Sequence, residues 1–194
     1  MLVIFDCDGV LVDSEPLGNA ALRASLAEVG VVLTLEETMA EFMGRDGRHL
    51  QTRATELLGA PLPEGFMASY RARRDAAMRA ELRAVPGIEQ ALDAIEHPTC
   101  VASSSSHRGL RLSLGVTGLY ERFEGRIFSA EDVARGKPAP DLFLHAASSM
   151  GFAPADCVVI EDSAPGVAAG RAARMRVLHY GQEFLSMDQL PGLL

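Results

Sequence analysis

Short, uninterrupted apolar runs punctuate the chain: "LVIF" from Leu2, "CVAS" from Cys100, "RIFS" from Arg126, "CVVIED" from Cys157 and "RVLHY" from Arg176. Runs without polar alternation predict strands buried on both faces, as in a parallel sheet covered by helices. Between the later runs, apolar residues recur at helical spacing in "GIEQALDAIE" from Gly87, "HRGLRLSLG" from His107, "PDLFLHAASSMG" from Pro140 and "GVAAGRAAR" from Gly166. Strand and helix alternate, which predicts a doubly wound, Rossmann-like α/β domain with a parallel sheet.

One interval breaks the alternation. From Pro16 to about Arg83 only amphipathic helix patterns appear, among them "PLGNAALRASLAEVG" and "EGFMASYRARRDAAMRAELR". Ser14 ahead of Pro16 reads as a helix start, Thr34 with Glu37 as a capping box and Asp46 as an N-cap, while Gly30, Gly44 and Gly59 read as stops. The pattern predicts a helical cap domain over residues 16–82, inserted into a core made of residues 1–15 and 83–194. Its ends must return beside the first strand, so we expect it to act as a lid. Met39, Met43, Met67 and Met78 are expected in the packing of its helices.

Composition narrows the partners. At 194 residues and 48% hydrophobic, the chain can bury one good core plus a small accessory domain. Its formal charge of −8 opposes docking on nucleic acid or on an anionic membrane. A small metabolite is the expected partner, and the expected state is a monomer. Cys7, Cys100 and Cys157 lie in or beside apolar runs and form no CxxC pair, which fits buried thiols in a reducing cytoplasm. No stretch reads as a membrane span or a signal segment.

In doubly wound sheets, ligands bind beyond the carboxyl ends of the strands. Strand 1 delivers Asp6, Asp8 and Gly9 there; strand 2 delivers Ser103 and Ser104; the segment after strand 3 carries Lys137; strand 4 ends in Glu161 and Asp162. Converging carboxylates repel one another unless a cation neutralises them, and a hard divalent ion such as Mg²⁺ suits carboxylates, water and a substrate phosphate. Lys137 and Ser103 are then the ammonium and hydroxyl that phosphoryl oxygens require. One aspartate can serve as a nucleophile that forms an aspartyl-phosphate, and a second, two residues on, can serve as acid and base. Of the neighbouring residues, Asp13 is expected to be structural, and Ser105 and Ser106 are expected to cap a helix. His107 is the histidine placed to approach the site.

"DCDGVLVDSE" (from Asp6), "VASSSS" (from Val101), "GKPAPDLF" (from Gly136) and "VIEDSAPGVAAG" (from Val159) resemble, in order, the four motifs of the haloacid dehalogenase superfamily. A helical insert after the first motif, with the "VDSE" and "EDS" wording, is similar to the β-phosphoglucomutase-like branch. The run "ELRAVPGIEQALDAI" resembles bacterial sugar phosphatases of the 6-phosphogluconate phosphatase type. The resemblance implies Asp6 as nucleophile, Asp8 as general acid and base, and Ser103 and Lys137, with Ser104, around the phosphoryl group. It implies Mg²⁺ held by Asp6, the Asp8 carbonyl and Asp162, with Glu161 in support, and substrate contacts from the cap loop that carries Arg45 and Arg48. Arg71, Arg73 and Arg74 are further cap candidates for such contacts.

The expected activity is a Mg²⁺-dependent phosphatase acting on a small phosphorylated sugar or sugar acid, 6-phosphogluconate among them. A phosphomutase is the alternative; the histidine that mutases of this branch carry at the hinge aligns by count with Gly18, which leans toward hydrolysis. A phospho-accepting signalling domain also joins acidic residues, a hydroxyl and a lysine on such a sheet. It has no helical insert after the first strand.

Overall fold

The computed structural model describes residues 1–42 and 47–194, apart from the side chain of Arg48. Five parallel strands form one sheet: β1 (Leu2–Phe5), β2 (Thr99–Ser103), β3 (Ile127–Ser129), β4 (Cys157–Glu161) and β5 (Arg176–His179), in the order β3-β2-β1-β4-β5. Ile4 stands opposite Cys100 on one side and Val159 on the other. All four residues of β1 and all five of β4 are buried, as unbroken apolar runs require.

Alternation along the strands divides the core into two layers. Leu2, Ile4, Cys100, Ala102, Cys157 and Val159 pack with Leu142, Phe143, Ala146 and Ala147 of helix Asp141–Ser149 and with Ala169 of helix Ala164–Ala172. Phe5 points the other way, its ring 6.2 Å from that of Phe123. The strand order places β1 at the centre, so the turn that leaves its carboxyl end is flanked by the ends of β2 and β4.

The chain divides into two compact units, one of Met1–Asp13 with Arg83–Leu194 and one of Ser14–Leu82. The second holds α1 (Glu15–Glu28), α2 (Leu35–Phe42), α3 (Gly47–Leu58) and α4 (Phe66–Glu81). Its own core joins Leu22, Leu26, Phe42, Leu50, Ala54, Phe66 and Tyr70. Thr34 and Glu37 form the expected capping box ahead of α2: the Glu37 amide donates to Thr34 Oγ1 and the Thr34 amide donates to Glu37 Oε2. Met78 is buried and Met67 packs against this core, but Met39 is 39% exposed. Helical spacing alone put Met39 inside; it falls on the solvent side of α2, whose buried residues are Thr38 and Phe42. Asp46, Gly44 and Met43 lie outside the described residues. Among the described residues, no helix is long and apolar enough to cross a membrane.

Candidate active site

The centre of the site is the chain's exit from β1. The Asp6 amide still donates to Ile160 O at 2.9 Å, as a continuation of the ladder with β4. The backbone then folds tightly, with the Leu11 and Val12 amides donating to Cys7 O and the Gly9 amide to Val12 O. Gly9 has φ +81°, and a Cβ there would sit 2.1 Å from Asp162 Oδ2. Glycine lets the β1 turn approach the end of β4 closely. Leu11 to Asp13 runs antiparallel to Arg83–Val85, through bonds from the Asp13 amide to Arg83 O and from the Val85 amide to Leu11 O. Asp13 is exposed and its amide is part of this return.

A buried ion cluster lies beside that turn. Lys137 Nζ donates to Asp6 Oδ1 and to Glu161 Oε1, each at 2.6 Å, and the three side chains are 3%, 9% and 0% exposed. The ammonium also stands 4.8 Å from the centre of the Phe143 ring, a cation–π distance. Glu161 is held from its other side, where Oε2 accepts from both the amide and the hydroxyl of Ser163 at 2.9 Å. Ser163 is the N-cap of helix Ala164–Ala172 and its Oγ also accepts from the Gly166 amide. A Cβ on Gly166 would lie 1.7 Å from Glu161 Oε1. The first turn of that helix therefore needs glycine to make room for the carboxylate.

The charges do not balance. Burial pushes the Asp6 carboxyl well above the usual carboxylate range, against the pull of Lys137 and with help from Glu161 and Asp8. Burial works against the Lys137 charge too, yet Asp6 and Glu161 outweigh it and raise the ammonium above an ordinary lysine. Two buried carboxylates thus share one cation, and Asp8 and Asp162 add further negative charge nearby. One carboxylate oxygen from each of Asp6, Glu161 and Asp162 lies within 4.8 Å of the others. An all-oxygen, electron-rich set with surplus negative charge fits a hard divalent cation. Cys7 sits between the aspartates, and its burial and their charges push the thiol well above its usual range, so it stays protonated and is a poor nucleophile.

Ser103 ends β2 fully buried, its Oγ accepting from the Ser105 amide at 3.1 Å, while Ser104 is exposed. Ser106 caps helix His107–Val116, as expected, by accepting from the Gly109 amide. Ser105 does not cap. Its Oγ donates to Asp8 Oδ2 at 2.7 Å, and the group formed by Asp6, Glu161 and Asp162 does not include the Asp8 carboxylate. His107 pairs with Asp132, its Nε2 2.7 Å from Oδ1. Arg73 pairs with Glu28, and Arg74 lies 3.4 Å from Asp75. Arg45 and the side chain of Arg48 lie outside the described residues.

Three contributors stand outside the residues expected from sequence. Ser163 and Gly166 carry a legible signal, a Ser-x-x-Gly helix start directly after the Glu-Asp pair. Phe143 carries none, because nothing distinguishes it from any other core aromatic before Lys137 is seen against its ring.

Residues 1–174 match the family model described as haloacid dehalogenase-like hydrolase. The chain belongs to that family. This hydrolase is 32% identical over 179 residues to the 6-phosphogluconate phosphatase of Escherichia coli strain K12, across 92% of this chain and 81% of that one. The crystal structure of a haloacid dehalogenase-like protein of unknown function from Agrobacterium tumefaciens superposes with a TM-score of 0.86 at 32% identity, over 99% of this chain and 96% of the other. A family hydrolase from Deinococcus radiodurans, crystallised with bound phosphate and sodium, superposes with a TM-score of 0.76 at 32% identity, over 100% and 96%.

Proposed function

We propose that this hydrolase is a phosphatase that cleaves a small phosphorylated sugar or sugar acid, with 6-phosphogluconate the first candidate, through an aspartyl-phosphate on Asp6. The observation that carries the reading is the placement of Lys137 Nζ between Asp6 and Glu161, a buried ammonium on the oxygen that would attack phosphorus. Phosphate monoesters hydrolyse so slowly unaided that an enzyme must lower the barrier by on the order of 20 kcal/mol or more. A carboxylate attacks a phosphoryl dianion only where their mutual repulsion is screened.

In the first step Asp6 bonds to phosphorus as the ester P–O bond breaks, and Asp8 gives a proton to the departing alkoxide. In the second, Asp8 takes a proton from water, the water oxygen bonds to phosphorus, and the bond to Asp6 breaks. Lys137 and Ser103 orient the phosphoryl oxygens. Mg²⁺, bound by Asp6, Asp162 and the Asp8 carbonyl with Glu161 in support, would supply positive charge that neutralises the attacking carboxylate and the phosphoryl group. Three buried, unpaired thiols are compatible with work in a reducing cytoplasm.

The test is phosphate release from a panel of sugar and sugar-acid phosphates, with Mg²⁺ or EDTA, for wild type beside Asp6→Asn. Metal-dependent release that vanishes in the variant is expected. Release unaffected by Asp6→Asn would overturn the reading, and turnover that appears only after priming with a bisphosphate would replace it with a phosphomutase.

A further inference from the structure

We propose that Ser105 is a positioning residue for Asp8, and that it acts by clamping one oxygen of the Asp8 carboxylate; the proposal rests on the reading of Asp8 as the acid that protonates the leaving group. Ser105 and Asp8 are 97 positions apart, yet the hydroxyl donates to Oδ2 at 2.7 Å. A rotatable hydroxyl would be a weak clamp on a loose loop, but this one is fixed on both sides. The Ser105 amide donates to the buried Oγ of Ser103 at 3.1 Å, and its carbonyl accepts from the Oγ of Ser129 at 2.7 Å.

Ser129 is itself anchored. It is fully buried at the end of β3, its amide donates to Asp132 Oδ2, and its Oγ accepts from the Glu131 amide. His107 extends the network, its amide donating to Glu131 Oε2 and its ring reaching Asp132. Hydrogen bonds therefore run from the ends of β2 and β3 to a single carboxylate oxygen beyond β1. Holding Oδ2 fixes the orientation of the carboxylate from which the proton is delivered. An acid turned by a fraction of an ångström meets the leaving oxygen badly, so the clamp matters most where protonation matters most. Alkyl leaving groups need that proton; nitrophenolate departs without it.

The experiment compares the single-turnover rate of aspartyl-phosphate formation, which precedes the water step common to all substrates, and KM for a sugar phosphate and for nitrophenyl phosphate in wild type, Asp8→Asn, Ser105→Ala, Ser105→Thr and Ser105→Cys. Loss of one hydrogen bond on a charged acceptor predicts a fall of about ten-fold or more in that rate for the sugar phosphate in the alanine variant. KM and the nitrophenyl rate should stay within about three-fold, and threonine, which keeps the hydroxyl, should restore most of the loss. Cysteine matches serine in shape but is a weak donor, so it should fold as wild type and behave as alanine does. Equal losses on both substrates, or an effect on KM alone, would overturn the role of Ser105. If Asp8→Asn itself slows both substrates equally, the acid assignment falls and this inference falls with it; a leaving-group-dependent Asp8→Asn beside an unaffected Ser105→Ala defeats the inference alone.

Discussion

Two sets of ion pairs in this molecule look alike on a ruler and differ in everything else. Lys137 meets Asp6 and Glu161 at 2.6 Å with side chains 3%, 9% and 0% exposed, whereas Arg53 on α3 meets Glu41 and Glu56 at 2.7 and 2.9 Å with side chains 33%, 34% and 56% exposed. Water screens the second set, and Arg53 merely lowers the Glu41 carboxyl while both carboxylates raise the guanidinium. Burial removes that screening from the first. There, one ammonium faces two carboxylates inside the protein, and burial raises the Asp6 carboxyl despite the pull of Lys137. Burial, not distance, separates a pair that decorates a helix surface from one built to meet a charged reactant.

Breaking the buried set should have the largest effect. Lys137→Met leaves Asp6 and Glu161 without their shared cation, which predicts a loss of about 3–5 kcal/mol in urea unfolding in EDTA, together with loss of turnover. A variant as stable as wild type would show that the cluster is not under the strain its charges imply.

The next effect concerns pH. An acid whose folded pKa is raised binds its proton more tightly when folded, so its contribution to stability falls as pH climbs from the ordinary value of 3.8 through the raised one. Lys137, raised above 10.5, contributes fully below that value and is lost only at higher pH, outside this window. A bound divalent cation favours ionised Asp6 and opposes the fall. The gain in unfolding free energy from Mg²⁺ over EDTA, read by urea unfolding, should grow as pH rises above the carboxylate range. It should reach about 2–3 kcal/mol at saturating metal and shrink in Asp6→Asn. A gain that is the same at every pH, or the same in the variant, would contradict the shared-charge account.

Gly166→Ala sharpens the comparison sterically. Its new Cβ must displace the Glu161 carboxylate or shift the helix, at a cost of about 1–3 kcal/mol, and Lys137 should lose its second partner. The smallest effect belongs to the exposed set: Arg53→Met should leave the urea midpoint unchanged within error, and a shift as large as that of Gly166→Ala would erase the difference between the two sets.

Much of the sheet and the charge cluster is legible from residue order alone, since unbroken apolar runs give strands and the residues just past them must fall at one edge. Asp6, Ser103, Glu161 and Asp162 are found that way at strand ends, and Lys137 comes from the longer segment after β3. Ser105 is not, because three identical serines come after Ser103 and nothing local tells which turns toward Asp8. That choice is made by Ser129, distant in sequence, which grips the Ser105 carbonyl. Met39 shows the same limit in a helix, where a periodic pattern marks faces but only packing says which side is covered. Gly18, aligned by count with a hinge, falls in the first turn of α1, its amide donating to Ser14 O, with open space where a Cβ would stand.

The central claim is that Asp6 takes the phosphoryl group. The most direct measurement is to quench the enzyme during turnover of a phosphorus-labelled sugar phosphate, reduce the acyl phosphate with borohydride, and locate the modified residue by mass spectrometry. Homoserine at position 6, absent without substrate and absent in Asp6→Asn, is the predicted result. Steady turnover with the modification at another residue would contradict the account.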